Sequence, residues 1–210
     1  YEKTFNRPFP THSVALENGD AVYVDLNGDR KIDANDMSYD YGFTDDPEYM
    51  IGLNLGFSWK NWEVNTQWTG AWNVSRMISD VFRQPFVSSA GSNAGGLLSY
   101  HLDHTWTPEN PSQSAEYPRA TQVNASNNYA TSTLFEKDAK YLRLKTLQVA
   151  YNFQFPLMKK LGLTTCQLAF SGYNLLTFSP YLWGDPEATA SNAPTYPLTK
   201  TYTLSLKLGF

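Results

Sequence analysis

The sequence has little of what marks several common protein classes. Cys166 is the only cysteine among 210 residues, so no disulfide can form within the chain. No run of about 18 apolar residues occurs, which excludes a membrane-spanning helix. The 16 Lys and Arg residues are outnumbered by 20 Asp and Glu residues, which leaves no basic stripe for nucleic acid. A Gly-x-Ser-x-Gly motif, a phosphate-binding glycine loop and a recognisable acid pair are also missing, so nothing in the sequence supports catalysis.

Aromatic residues, in contrast, are abundant. Tyr, Phe and Trp make up 15% of the chain, and their amphipathic rings suit a membrane interface or a carbohydrate-facing surface. Many of them stand in segments where apolar and polar residues alternate. In the clearest segment, polar or small residues separate Tyr202, Leu204, Leu206, Leu208 and Phe210. A two-residue period predicts a β-strand with one apolar face, because successive side chains point to opposite faces.

Four further segments alternate in the same way, so the sequence predicts five strands. Besides 201–210, they are residues 51–59, 62–72, 147–155 and 163–177. In the segment 163–177 the phase of the alternation changes, which predicts a β-bulge near Gly172. Strands of about 9 to 11 alternating residues are long enough to cross a bilayer.

The connections between the predicted strands alternate between short and long. Residues 60–61 and 156–162 form short turns, whereas the long connections are residues 1–48, 76–138 and 179–196. Bacterial outer-membrane barrels keep short turns on the periplasmic side and long loops outside the cell. The predicted fold class is therefore all-β, with transmembrane antiparallel β-barrel strands in residues 49–210 and the three long segments as extracellular loops.

Five strands cannot close a membrane barrel, because an open sheet would leave unpaired edges in lipid. We therefore expect the missing strands to lie outside these 210 residues, and Tyr1 to begin within a longer protein. The competing interpretation is a secreted β-sandwich. Its strands would also alternate, but strands of that class are typically about 5 or 6 residues long.

Residues 25–36 form the clearest candidate metal site. Their spacing matches positions 1, 3, 5, 7, 9 and 12 of an EF-hand calcium loop, and the ligands would be Asp25, Asn27, Asp29, the carbonyl of Lys31, Asp33 and Asp36. Calcium prefers about six to eight hard oxygen ligands, which this spacing can wrap around one point. Against this reading, Arg30 stands where the sharp turn normally requires Gly, and no flanking helix is evident. The alternative is a carboxylate-rich surface turn.

Four aromatic residues in the predicted outer loops could stack against sugar rings or contact a partner protein. They are Trp106, Tyr117, Tyr181 and Trp183, and packing within the loops is the alternative. His101 and His104 resemble half of a zinc site. Without a cysteine or a third spaced ligand, they are better explained as polar loop residues.

Seven short motifs resemble, in their order along the chain, the C-terminal end of SusC/RagA-type TonB-dependent transporters. Each motif alone is weakly specific, but the ordered set is specific and covers nearly the whole chain. The motifs are 25–29 (DLNGD), 106–111 (WTPENP), 117–119 (YPR), 138–145 (DAKYLRLK), 172–178 (GYNLLTF), 185–187 (DPE) and 196–198 (YPL), followed by the terminal strand. The family's acidic motif usually continues with Gly after the second Asp, and this chain departs from it at Arg30.

The resemblance implies a 22-stranded outer-membrane barrel with an N-terminal plug, energised through TonB and closed by a SusD-like surface lipoprotein. Members of the family import oligosaccharides or, in the RagA branch, peptides. These 210 residues would supply about the last five strands and three extracellular loops. The plug and the segment that contacts TonB would belong to the part of the protein outside this chain.

The leading hypothesis is therefore part of a bacterial outer-membrane importer, with no enzymatic role. Apolar strand faces would contact membrane lipid, and the polar residues that would line the lumen include Glu63, Asn65, Gln67, Asn152 and Gln154. The competing hypothesis is a secreted calcium-dependent carbohydrate-binding β-domain, which would use the same acidic loop and loop aromatics.

Overall fold

The structure, a computed structural model, describes residues 9–86, 97–188 and 198–210. It contains seven strands among these residues: β1 Tyr49–Trp59, β2 Trp62–Trp72, β3 Ser75–Met77, β4 Glu136–Asp138, β5 Tyr141–Asn152, β6 Thr165–Phe178 and β7 Thr201–Gly209. Five of them form one antiparallel sheet in the order β1-β2-β5-β6-β7, and β3 pairs with β4. All five predicted strands are present, and the all-β fold class is confirmed.

Helices contribute little to the described part of the chain. They are Asp80–Arg83, Ser99–His104, Ala125–Asn128, Leu157–Lys160 and the 3-10 turn Ala34–Asp36. Among the described residues, none of these helices is long and apolar enough to cross a bilayer.

The described residues fall into two compact units. The first, here called the loop unit, comprises residues 9–42, 77–86 and 97–137. The second, the sheet unit, comprises residues 43–76, 138–188 and 198–210 and holds the five-stranded sheet. The loop unit has few regular elements, and its order comes from side-chain hydrogen bonds and from buried side chains that include Ile78, Tyr117 and Phe135.

The register of the sheet gathers apolar side chains onto one face. Residues that are directly paired across strands share a face. One row across all five strands consists of Phe57, Val64, Val149, Phe170 and Leu204. The next row on this face consists of Trp59, Trp62, Tyr151, Leu168 and Leu206.

No residue of these rows is buried: Phe57 and Leu204 on the edge strands are 64% and 71% exposed, and Val64 and Val149 on the central strands are partly exposed. The opposite face carries small and polar residues, as in the row Ser58, Glu63, Ala150, Ala169 and Ser205. One sheet face is therefore apolar across its full width.

The sheet contains the predicted irregularity, displaced by about two residues. Tyr173 pairs with Thr146, but the next aligned pair is Leu176 with Leu144, so β6 has one residue more than β5 between them. Asn174, inside this bulge, adopts a left-handed φ of 53°, a conformation that Asn tolerates better than most residues. Leu176 pairs with Leu144, which pairs with Trp68, so Leu176 lies on the same apolar face as Phe170.

The first predicted short turn is confirmed, and the second connection is longer than the predicted residues 156–162. Lys60 and Asn61 connect β1 to β2, and residues 153–164 connect β5 to β6. Strand β5 ends at Asn152, before the last alternating residue, Phe155. Phe153 still donates its N–H to the carbonyl of Cys166. Pro156, which has no N–H, and the helix Leu157–Lys160 then turn the chain.

A small core lies at the end of the sheet where the long connections begin. It consists of Ala71, Val74, Ala139, Tyr141 and Tyr181, with Trp183 packed against them. The segment 179–188 is therefore held on the sheet unit by apolar packing as well as by the ion pairs described below.

Candidate functional site

The centre of the loop unit is the carboxylate of Asp20, whose side chain has no exposed surface. Arg119 donates to it from Nε at 2.5 Å, and the amides of Asn124 and Asn128 donate at 2.7 and 2.8 Å. Arg119 also forms an ion pair with the exposed Glu17 at 2.5 Å. The bonds to Asp20 join positions 99 to 108 residues apart, so one buried carboxylate fastens two distant segments of the loop unit.

Further hydrogen bonds join the residues after Asp20 to the helix Ala125–Asn128. The N–H of Ala21 donates to Asn128 Oδ1 at 3.0 Å, and Asn127 donates to the carbonyl of Ala21 at 2.9 Å. The hydroxyl of Tyr23 donates to the carbonyl of Asn127 at 2.6 Å. Sequence reasoning missed this cluster, because residues 124–128 read as a polar loop and no periodicity marks their partners.

The hydrogen bonds also determine the ionisation of Asp20. Burial by itself raises its pKa, but the bonds from Arg119, the Glu17 backbone, Asn128 and Asn124 outweigh that effect and lower the pKa to about 2. Asp20 is therefore charged at neutral pH. Burial also raises the pKa of Tyr129 to about 12, so its hydroxyl remains a donor to the carbonyl of Arg119.

Trp106, one of the predicted contact residues, lines an open groove beside this cluster. The groove has a volume of about 830 Å³, and Glu17, Glu109 and Arg119 also line it. Trp106 lies against the backbone of Gly19, which adopts φ of 90°, and a Cβ at that position would overlap the indole ring. The left-handed turn and the close approach both require Gly there.

Tyr117, the second predicted contact residue, is more buried than Trp106, with only 1% of its surface exposed. Its hydroxyl donates to the carbonyl of Phe82 at 2.8 Å, and its ring stands edge-on to His101 at 4.7 Å between centroids. His101 is buried as well, with Nε2 at 2.8 Å from the same carbonyl and Nδ1 at 3.2 Å from the backbone N–H of Leu98. Both ring nitrogens of His101 therefore have protein partners.

Tyr181 and Trp183 lie in the sheet unit. Tyr181 is buried in the small core, while Trp183 packs against that core and stays partly exposed. Of the four predicted contact residues, Trp106 and Trp183 keep part of their surface accessible. Contact of any of the four with a substrate or partner stays a prediction.

The polar face of the sheet carries a second charged cluster that sequence reasoning missed. Arg143, in β5, has a side chain only 2% exposed. It donates to Asp185 and to Glu187 at 2.6 Å each, and from Nε to Thr177 at 3.0 Å. Residues 185–187 are one of the seven motifs, but nothing in the sequence shows that their two acids pair with a cation 42 to 44 positions away. This cluster fixes the segment 179–188 against the sheet.

Polar side chains are also connected across the strands near the short turns. Asn152 donates to Glu63 at 2.7 Å, and Gln167 donates to Asn152 at 2.9 Å. The three residues lie on β2, β5 and β6, on the face opposite to the apolar rows. Glu63 and Asn152, both predicted to line a lumen, thus share one hydrogen-bonded row.

The acidic residues of the predicted calcium loop are turned towards their own backbone. Asp25 accepts from the N–H groups of Gly28 and Arg30 at 2.6 and 3.0 Å. Asn27 Oδ1 accepts from the N–H of Asp29 at 2.9 Å. Arg30 adopts φ of 65°, so it occupies the left-handed conformation for which position 6 of such loops normally uses Gly.

The carboxylates in the second half of the predicted calcium loop also accept backbone N–H groups of the loop. Asp29 accepts from the N–H of Lys31 at 2.8 Å, and Asp33 accepts from the N–H of Asn35 at 2.7 Å. Asp36 accepts from the N–H groups of Asp33 and of Leu26, and the bond from Asp33 is the main cause that lowers the Asp36 pKa. Within the described ranges, no group of three or more His, Cys, Asp or Glu side chains is placed to hold a metal ion.

Comparison with known sequences connects the chain to one class of protein. TonB-dependent receptor P3 of Formosa agariphila is 26% identical over 205 residues, which are 91% of this chain and 19% of the receptor. TonB-dependent receptor P26 of the same organism is 29% identical over 210 residues, 91% of this chain and 20% of the receptor. The chain thus spans about a fifth of the length of these relatives. No protein-family model matches it.

Solved structures of RagAB share the fold. The RagAB peptide importer in an open-open state matches 90% of this chain and 20% of its own, with a TM-score of 0.63 and 24% identity. A structure of the RagAB peptide transporter matches 80% of this chain and 18% of its own, with a TM-score of 0.61 and 24% identity. The resemblance predicted from the motifs is thereby confirmed: the chain is similar in sequence to TonB-dependent receptors and in fold to the RagAB structures.

Proposed function

We propose that the chain forms part of the wall and the outer loops of a TonB-dependent importer in the bacterial outer membrane. The observation that carries this proposal is the apolar face that extends across all five strands of the sheet. Such a face lowers the free energy only when water is excluded from it, and the hydrocarbon core of a bilayer does so across the whole sheet. The receptor class of the relatives supports the same assignment.

In this arrangement the opposite face borders the lumen. Its polar row of Glu63, Asn152 and Gln167 is hydrogen-bonded across three strands, so these groups keep partners next to a water-filled or protein-filled interior. The segment 179–188, which Arg143 holds through Asp185 and Glu187, lies on the same face. It would therefore occupy part of the lumen beside β5 and β6.

The cargo is an oligosaccharide or a peptide, delivered beneath a SusD-like surface lipoprotein that acts as a lid. The plug and the contact with TonB come from parts of the transporter outside these residues, as do the remaining barrel strands. The motif resemblance supports both cargo classes, and the description of RagAB as a peptide transporter favours the peptide. The groove beside Trp106 and the partly exposed Trp183 are the candidate contacts for cargo or lid.

Fractionation of cells that produce the protein separates the importer from the secreted binding domain. The importer should be found in the outer membrane and should leave it only with detergent, because its apolar face needs lipid or a substitute. A protein that remains monodisperse in detergent-free buffer would refute the importer. Uptake of labelled oligosaccharides or peptides by cells with and without the protein then identifies the cargo class.

We also propose that the loop 25–36 binds Ca²⁺, which would order the loop without a catalytic role. Each carboxylate oxygen that accepts one backbone N–H keeps a further lone pair, and the ligand spacing suits calcium better than magnesium because of the number of oxygens. The ligands would be the six residues named from the sequence, with Lys31 contributing its carbonyl.

The calcium site is tested by protease protection. Calcium should slow cleavage within residues 25–36, and the double variant Asp25→Ala, Asp29→Ala should abolish that effect because two of the hard ligands are lost. Asp40→Ala combined with Asp103→Ala, two exposed acids outside the loop, should leave the protection intact. Cleavage that is equally fast with and without calcium in the unaltered protein would reduce the loop to a surface turn.

A further inference from the structure

The short-turn end of the sheet has a charge that differs from the rest of the chain. We call this end the turn edge and define it as residues 59–62 and 155–162. It contains Lys60, Lys159 and Lys160 and no acidic residue, whereas the whole chain has a net charge of −4. The nearest acid, Glu63, lies on the polar face and accepts a hydrogen bond from Asn152. The turn edge is therefore a local concentration of positive charge.

The same edge exposes large apolar side chains. Leu157 is 53% exposed and Leu161 is 56% exposed, and Trp59 and Trp62 at the first turn are 56% and 46% exposed. The two Trp residues face each other across the turn and belong to the apolar face of the sheet. The apolar face thus reaches the turn edge at its two Trp residues.

One contact shows how charge and apolar surface are combined there. The Nζ of Lys60 lies 4.6 Å from the centroid of the Trp59 ring, so the ammonium group is held at the border of the apolar face. Lysine side chains commonly place their methylene groups along apolar surface while the ammonium reaches the polar layer, and Trp prefers the same boundary.

We propose that the turn edge binds the headgroups of anionic phospholipids. This inference rests on the proposed position of the sheet in a bilayer, because only then does the edge lie at the level of the lipid phosphates. A phosphate layer complements the positive charge of this edge, whose sequence has three lysines and no acid, while Leu157, Leu161 and the two Trp residues would enter the acyl-chain border. The turn edge then selects lipids by headgroup charge and fixes the depth of the strands.

The test measures the preference for phosphatidylglycerol over phosphatidylcholine in bilayers that contain the whole transporter, using spin-labelled lipids at low and high salt. Each lysine near an anionic surface should contribute about a fivefold preference, equivalent to about 1 kcal/mol. The triple variant Lys60→Gln, Lys159→Gln, Lys160→Gln should therefore lose at least tenfold in selectivity. The matching triple Lys→Arg variant should retain it.

The control is a second triple variant, Lys140→Gln, Lys145→Gln, Lys200→Gln, which removes the same charge from exposed lysines outside the turn edge. It should keep the selectivity of the unaltered protein. Equal loss in both Gln variants, or equal selectivity in the unaltered protein and the turn-edge variant, would overturn the inference. Such results leave the importer assignment untouched, since that assignment fails only when the unaltered protein is absent from the outer membrane.

Discussion

Replacing Asp20 with alanine is expected to destabilise the loop unit by about 3 kcal/mol, because Arg119 is left with Glu17 alone as its ion-pair partner and buried N–H donors lose their acceptor. The carboxylate has no exposed surface and accepts bonds from the side chains of Arg119, Asn124 and Asn128 and from the backbone N–H of Glu17, so the substitution removes the acceptor of four residues. Hydrogen–deuterium exchange at Ala21 and Asn128 should accelerate on the order of 10²–10³-fold. Proteolysis within residues 9–42 should increase in parallel.

Asp103→Ala is the matched control, because Asp103 is an exposed acid in the same unit and surface substitutions usually change stability by about 0.5 kcal/mol or less. Acid provides a second measurement. The folded pKa of Asp20 is about 2, below its reference value of 3.8, so its contribution is present above about pH 4 and is lost as the pH falls towards 2. That loss amounts to about 2 kcal/mol and should be absent in Asp20→Asn. Equal exchange rates in Asp20→Ala and Asp103→Ala would contradict the account.

The second large effect is expected at Arg143. Arg143→Met should release the segment 179–188 from the polar face of the sheet, at a cost of about 3–5 kcal/mol, because Asp185 and Glu187 lose a cation that is 2% exposed. Exchange at the backbone N–H groups of Glu187 and Ala188 reports the release. Arg143→Lys should give an intermediate result, since one ammonium group cannot reproduce the planar arrangement of donors to three partners.

Lys145→Met provides the control on the same strand. Lys145 also faces Glu187, but at 3.9 Å and with both side chains more than 40% exposed, and such pairs contribute about 0–1 kcal/mol. Should Lys145→Met and Arg143→Met accelerate exchange in the segment equally, the buried cluster would not be what holds it. Unchanged exchange in both variants would assign the segment's order to the apolar packing of Tyr181.

The sheet could be predicted from the sequence because each strand carries its own periodicity. The turn at Lys60 and Asn61 followed from the change of phase between two alternating segments, and it stands as predicted. The beginning of β5 was missed for a related reason. Leu142 and Leu144 are even-numbered, whereas Leu147 and Val149 are odd-numbered, and the shift at Lys145 that reconciles them hides the alternation before it.

The loop unit could not be predicted in the same way. Its order comes from polar bonds such as that between Asp20 and Asn128, and polar residues carry no periodic signal that identifies a partner 108 positions away. The burial of aromatic residues in the long connections could not be predicted from the sequence either. Tyr117 and Tyr181 are candidate contact residues on chemical grounds, but both are buried. Tyr117 packs within the loop unit and Tyr181 packs on the end of the sheet, beside Ala71 and Tyr141.

The central claim, that lipid covers one face of the sheet, is tested most directly by single cysteines on neighbouring positions, introduced in a Cys166→Ser background. Phe170→Cys and Leu204→Cys lie on the apolar face, and Ser171→Cys and Ser205→Cys lie on the other. In outer membranes, a fluorophore at 170 or 204 should be quenched by a lipid-soluble nitroxide, while cysteines at 171 and 205 should react with a water-soluble maleimide. Uniform quenching, uniform reactivity or the reverse pattern would contradict the account.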